Sequence, residues 1–460
     1  MALQGLTVGA DYTLRLNGNR FRNVGANWPS GFLPFVQSSP SVVTYTPDAN
    51  VDAEIAAMVS MGIKIARVII LPFFPATFKV GVLNNVAWGS STAADREPYY
   101  LKLDAFIAKC RAAGIGLILN FFWRIATVPD IVGANVRSWL SAGNTRTFAT
   151  TLTQEIVTRY LTEQAVYGYE FGNETNNQLN TPNVNKFAVN VSYGTAASYS
   201  VANDTFVTSG GSYGASDVQN LLSWWYGVVR AIDSSRIVLG GNGSNTYWNE
   251  SKTPTVPTPF TRWIAEYVRD NPTNVSGIHF YGGIGYCDNV YNGLESLATA
   301  AKYASKVVGK AFIFEEIGNQ IPYSSSFTAS GGVATMQIDA ASDALFTKSG
   351  DTVLLCGTGT AWDGPANVVS VTNSNRTVVV SGKGPDVTLS STYYVNPNYA
   401  RFGRMLDQIF SADVDVVMVW QMTTQASEVA FQPYSSIAPG YGADFMIPII
   451  TAKNAQLAVG

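Results

Sequence analysis

Eight short, nearly continuous apolar runs recur along this chain, and stretches of helical spacing stand between them. This alternation limits the fold more than any other feature. Runs apolar at consecutive positions are buried on both faces, as strands of parallel sheets are. The predicted strands are 21–28, 64–71, 115–123, 165–174, 236–241, 275–281, 310–317 and 414–421. The predicted helices are 51–61, 99–113, 151–164, 216–232, 259–270, 293–308 and 399–411. In 99–113, for instance, Leu103, Phe106, Ile107 and Cys110 share one face, and Gly114 follows as a natural stop. Strands that alternate with helices in this way predict an α/β fold, a (β/α)8 TIM barrel. No G-x-G-x-x-G follows the first strand, so a doubly wound dinucleotide-binding sheet has no support.

One interval breaks the rhythm. Between Glu316 and Trp420 lie short β-branched runs, TVLLCG, NVVSVT, RTVVVSG and TYYV, separated by Gly, Asn and Asp turns. They predict a small inserted β domain at 326–395, after strand seven. The barrel then comprises 1–325 and 396–460, the second part carrying the last helix, the last strand and a C-terminal segment. Loops after barrel strands lie at the active face, so the insertion is expected beside the site, extending substrate binding or mediating assembly.

Composition excludes several classes. Charged residues are 13% of the chain, against a usual ~25%, and hydrophobic residues are 47%. Lys+Arg 29 against Asp+Glu 32 leaves a net charge of −3 with no basic block, which argues against a nucleic-acid partner. No apolar run is long enough to span a membrane. With one histidine and three scattered cysteines (Cys110, Cys287, Cys356), no metal site and no cofactor are expected, and the cysteines are expected to be free thiols. The first residues lack the pattern of a signal peptide. A low-charge composition rich in Ser, Thr, Asn, Gly and Tyr nonetheless suits work outside cells, and the expected location is extracellular or virion-associated.

In barrel enzymes catalytic groups stand at the C-terminal ends of strands. Glu174 ends strand four and Glu315-Glu316 ends strand seven. A carboxylate in an apolar run is costly unless paired or used. Two such carboxylates suit glycoside hydrolysis. At about 5–5.5 Å one attacks the sugar while the other acts first as acid and then as base.

The segment Tyr169-Glu170-Phe171-Gly172-Asn173-Glu174 is similar to W-E-x-x-N-E, and Glu315-Glu316-Ile317-Gly318 resembles E-[FYW]-G. On these motifs the chain resembles the clan A glycoside hydrolases, most closely family 5, the cellulase and β-mannanase family, over all eight strands. The resemblance implies that Glu174 is the acid/base, Glu316 the nucleophile and Asn173 a donor to the sugar 2-hydroxyl. It implies that Arg67 holds the nucleophile ionised, that His279 and Tyr281 form the strand-six H-x-Y, and that Trp420 is the platform at the cleavage point. Trp28, Asn120 and Trp123 are expected to support the cleft, and Trp224 and Trp225 to pack in the core. Glu315 is expected on the other side of its strand, because side chains alternate. Thr175 stands where the family has Pro, no strand-three histidine is present, and Ile317 replaces an aromatic.

The resulting reading is a cofactor-free retaining endo-β-glycoside hydrolase with a polysaccharide or oligosaccharide substrate, whether β-glucan, β-mannan or bacterial exopolysaccharide. Two alternatives stand beside it. One is a non-catalytic carbohydrate-binding protein on the same fold. The other is a serine esterase, since Gly210-Gly211-Ser212-Tyr213-Gly214 fits G-x-S-x-G, with Asp270 and His279 following in order.

Overall fold

The computed structural model describes residues 5–29, 31–32, 47–71, 88–123, 125, 127–134, 136–175, 215–243, 268–280, 293–317, 323–338, 349–350, 352–356, 360–362, 364–372, 377–382, 384–389, 393–396, 398–422, 437 and 446–459. Eight parallel strands form one sheet in the order five-four-three-two-one-eight-seven-six. They are Asn23–Asn27, Ile65–Ile69, Gly116–Phe122, Val166–Gly172, Ile237–Leu239, Val275–Phe280, Ala311–Ile317 and Val416–Val419. A parallel bridge between Gly243 and His279 joins strand five's extension to strand six and closes the barrel. This is the predicted (β/α)8 TIM barrel.

Two apolar layers hold it. Inside the barrel, Ile65, Ile118, Tyr167, Ile237, Val275, Ile313 and Met418 pack with Leu6 and Leu14 of the N-terminal hairpin, Leu6–Val8 against Leu14–Leu16. The hairpin thus plugs the end of the barrel opposite the strand C-termini. Asp415, fully buried, accepts from the Leu14 amide at 2.8 Å and from Arg20 Nε at 2.8 Å, which fixes the plug. Outside, the sheet packs on the helices through Leu103, Phe106, Leu152, Ile156, Leu221, Trp225, Leu406 and Ile409, among others.

Helix bounds depart from the sequence expectation where capping decides them. The helix expected at 99 begins six residues earlier, as Ala93–Ala112, because Thr92 and Asp95 form a reciprocal capping box and the helix tolerates Pro98. An unexpected eighth helix, Met446–Ala458, follows strand eight. Its Asn454 side chain accepts from the Val24 amide at 2.8 Å and donates to the Val24 and Met61 carbonyls at 3.1 Å, tying the helix to the first strand. The helix expected at 259–270 lies outside the described residues apart from its last three.

Between strand seven and helix Asn398–Ser411 stands a seven-stranded sheet, every described pairing of which is antiparallel, running from Tyr323–Ser330 to Tyr393–Asn396. It has its own core, in which Phe327, Met336, Val353, Leu355, Trp362, Val378 and Val380 are buried. Strand Thr377–Ser381 alternates buried and half-buried positions, as a one-sided sheet requires. Among the described residues no helix is long and apolar enough to cross a membrane. Cys110 is a buried free thiol.

Candidate active site

Arg67 leaves strand two inside the barrel and is 1% exposed. Its guanidinium gathers four residues from three other strands. Nε donates to Glu170, Nη1 to Asn27 Oδ1 at 2.8 Å and to Glu316 Oε1 at 2.5 Å, and Nη2 to Asn173 Oδ1 at 3.0 Å. Its planar fork of donors suits this, where a point-like ammonium would not. Burial opposes the charge, but the anions Glu170 and Glu316 outweigh it, so Arg67 is held more firmly protonated than in water. Asn27 in turn donates to the Glu315 carbonyl at 2.9 Å, and Asn120 donates to Glu170 Oε2 at 2.7 Å and to the Gly172 carbonyl at 2.8 Å.

Glu174 and Glu316 meet at His279. Nδ1 of the ring lies 3.2 Å from Glu316 Oε2 and 3.4 Å from Glu174 Oε1. One oxygen of each carboxylate and a ring nitrogen all lie within 4.8 Å of one another. Glu316 is nearly buried, and Glu174 keeps 24% of its side chain exposed, so the pair opens to solvent on the Glu174 side. Glu174 has φ 47°, an uncommon left-handed conformation for a residue with a side chain, of the kind that clusters at functional sites. The next residue explains the missing proline. The Thr175 amide donates to the Gly241 carbonyl at 2.9 Å, a bond proline cannot make, and its hydroxyl donates to the Gly240 carbonyl at 3.1 Å. Gly241 itself has no alternative, since a Cβ there would stand 1.8 Å from the Gly172 carbonyl oxygen.

Two expectations need correction. Glu315 does not point away from Glu316. The pairing of strands six and seven shifts register between Phe314 and Glu316, so that Phe314 faces Ile278 and Glu316 faces His279, with Glu315 left over. Such a bulge breaks the alternation of side chains, and both carboxyls end up around His279. Trp28 is not a cleft residue. It is fully buried, donates from Nε1 to Glu54 Oε2 at 2.5 Å and packs on Phe106. The esterase alternative gains no support from its two described members. Asp270 lies before strand six and pairs with Arg269 at 2.5 Å, whereas His279 lies near that strand's far end, bound to the carboxylates. Ser212 lies outside the described residues, as does Tyr281.

The remaining tryptophans divide as their exposure dictates. Trp420 is half-buried and stacks on Trp123, with centroids 5.7 Å apart and planes 19° apart. Trp123, 7% exposed, also lies against the Arg67 guanidinium at 4.8 Å, so it backs Trp420 rather than forming a platform. Trp225 is fully buried, and Trp224 packs on Trp139 beneath Arg146. Glu170, Asn27 and the bulged Glu315 were not singled out from sequence as site residues. Glu170 was within reach, because 170, 172 and 174 share one strand face.

No protein-family model and no curated protein matches this sequence. Solved structures do. The endo-1,4-beta-mannanase from Rhizomucor miehei superposes with a TM-score of 0.53 at 12% identity, over 99% of this chain and 100% of that one. A glycoside hydrolase family 5 mannosidase from the same organism gives 0.51 at 11%, over 99% and 98%. The endo-1,4-beta-D-mannanase from Thermotoga petrophila gives 0.50 at 12%, over 95% and 100%. This chain shares their barrel fold.

Proposed function

We propose that this barrel is a retaining β-glycoside hydrolase that cuts within a polysaccharide. The observation that carries the reading is the approach of Glu174 and Glu316, one oxygen of each within 4.8 Å of the other, at the C-terminal ends of strands four and seven. That approach suits the ~5–5.5 Å of a retaining pair better than the ~6.5–9.5 Å of an inverting one.

In this reading Glu316, held as an anion by Arg67, attacks the anomeric carbon from one face of the sugar. Glu174, protonated, gives its proton to the leaving oxygen. The carboxylate charge on Glu316 is spent in the new glycosyl ester. Glu174, relieved of that neighbour, then takes a proton from water, which attacks the same carbon and frees Glu316. Two inversions retain the configuration. Asn173, oriented through Arg67, offers its amide N–H to the 2-hydroxyl beside the nucleophile. The indole of Trp420 offers an apolar face to the C–H face of the sugar at the cleavage point.

The structural neighbours make β-1,4-mannan the first substrate to try, with β-glucan and bacterial exopolysaccharides beside it. Work on such substrates fits a protein acting outside cells or on a virion. The test is a polysaccharide panel followed by product sizing and proton NMR of the first-formed anomer. Falling chain length with the β-anomer appearing first is the expected result. Binding without any release of sugar would make this a carbohydrate-binding protein, and an α-anomer appearing first would reverse the mechanism.

A further inference from the structure

The bulge at the end of strand seven sets a third carboxyl against the site. Glu315 is fully buried, with Oε2 3.7 Å from Nε2 of His279, on the side of the ring away from Glu316 and Glu174. The fit is specific. Gly277 lies beneath the carboxyl, and a Cβ there would stand 2.1 Å from Glu315 Cδ. The pocket therefore needs both the extra residue in strand seven and the missing side chain in strand six.

The charges facing Glu315 come from every side. Glu170 on strand four, Arg67 on strand two, Glu316 beside it and the amide of Gly241 all act on it, and His279 faces it from strand six. Arg67 is already committed to Glu170 and Glu316. A second anion at Glu315 would stand within 4.8 Å of a Glu170 oxygen, in a dry interior. Burial above all, then the Glu170 charge, pushes the Glu315 carboxyl well above the usual range, against the pull of Arg67 and the Gly241 amide.

We propose that Glu315 is a positioning residue: as a neutral carboxylic acid it donates its O–H to Nε2 of His279, and so fixes the ring hydrogen on Nδ1, directed at Glu316 and Glu174. This inference rests on the glycosidase reading for its consequence, though not for its geometry. A neutral imidazole has one N–H. With Nε2 occupied as an acceptor, that hydrogen must sit on Nδ1, where it donates to the carboxylate pair. The 3.7 Å separation is about half an ångström beyond a hydrogen bond, a looseness common at active sites without substrate. No proton leaves the Glu315–His279 pair in the cycle. Its task is to keep the Nδ1–H in place while charge moves between Glu316 and Glu174.

The chain has a single histidine, so ring-15N-histidine labelling reports His279 alone. At neutral pH the wild type should show hydrogen on Nδ1 and an Nε2 signal displaced from the bare lone-pair position by an accepted hydrogen bond. Glu315→Leu should return Nε2 to the bare position and lower kcat roughly tenfold, the worth of one such bond, with KM little moved. Glu315→Gln, whose amide N–H can donate to the same lone pair, should recover most of that loss. It should also remove a neutral carboxylic acid C=O band from the infrared spectrum. A ring with no hydrogen on Nδ1, or no carboxylic acid band lost in Glu315→Gln, overturns the proposal, and neither reading requires Glu315→Leu to fold. Absence of hydrolysis in the wild type overturns the glycosidase reading alone.

Discussion

Arg67 Nη1 donates to Glu316 Oε1 at 2.5 Å, and the same guanidinium also holds Glu170 and Asn173. One cation therefore fixes a proposed nucleophile, a buried carboxylate and the Asn173 amide proposed to meet the sugar. Replacing it with lysine keeps the charge but not the fork. Arg67→Lys should lose at least 100-fold in kcat, about 2.7 kcal/mol. Arg67→Met leaves buried carboxylates unpaired and should cost about 3–5 kcal/mol of stability, read by denaturant unfolding. Wild-type turnover in Arg67→Lys would mean that Glu316 needs no such fork.

The two glutamates should fail differently. Glu316→Gln should abolish hydrolysis of every substrate, because the attacking oxygen is gone. Glu174→Gln removes only the proton donor and base. It should spare the first step on an aryl glycoside with a good leaving group, and azide should then intercept the intermediate as a β-glycosyl azide. Azide rescue at position 316 with the same β product would exchange the two roles.

Much of this site was legible because chemistry and periodicity agreed. Continuous apolar strands gave away the barrel, carboxylates at strand ends marked Glu174 and Glu316, and the family resemblance added Arg67, Asn173 and His279. What failed had a physical cause in each case. Glu315 was misdirected because a bulge breaks the period of two, and no residue type announces it. Trp28 ends a strand, as Trp420 does, but exposure depends on the helix that packs over it, here through Glu54. Asn454 is on no motif at all, because its partners are the backbone of strand one, some 430 residues away.

Those two tryptophans give a paired test. Trp420→Ala should raise KM and lower kcat on short oligosaccharides while leaving the melting temperature within a few degrees. Trp28→Ala should instead cost about 3–5 kcal/mol of stability, as large core truncations do, since it opens a cavity and strands the Glu54 carboxyl. Activity per folded molecule should survive there. The reverse pattern would move the cleft to the Trp28 side of the barrel.

The buried carboxyl of Glu315 makes a signed prediction about pH. Its folded pKa is raised well above 4.5. Below the unfolded value both states hold the proton and Glu315 contributes no slope. As pH rises beyond that value, the unfolded chain releases the proton while the folded protein keeps it, so stability falls, at up to about 1.4 kcal/mol per pH unit, until the folded value is passed. Glu315→Gln has no such proton. Its unfolding free energy, measured by urea from pH 5 to 8, should decline less steeply than that of the wild type. Parallel curves would show that Glu315 is ionised in the folded state.

The inserted sheet should be separable from the barrel. Its core of Phe327, Met336, Trp362 and Val380 is its own, and the chain enters and leaves it between strand seven and the following helix. One contact resists removal, because strand Thr352–Cys356 packs against helix Asn398–Ser411. Deleting 326–395 and joining the ends with a Gly/Ser linker should therefore leave a cooperative barrel of reduced stability. We expect hydrolysis of short oligosaccharides to persist, because Arg67, Glu174, His279 and Glu316 lie on barrel strands or directly at their ends. Activity on long polysaccharide should fall if the insertion extends the sugar-binding surface, whereas a change confined to oligomer mass, read by light scattering, would assign it to assembly. Loss of folding on deletion, seen as a missing unfolding transition, would show that the sheet is an integral part of the barrel's core.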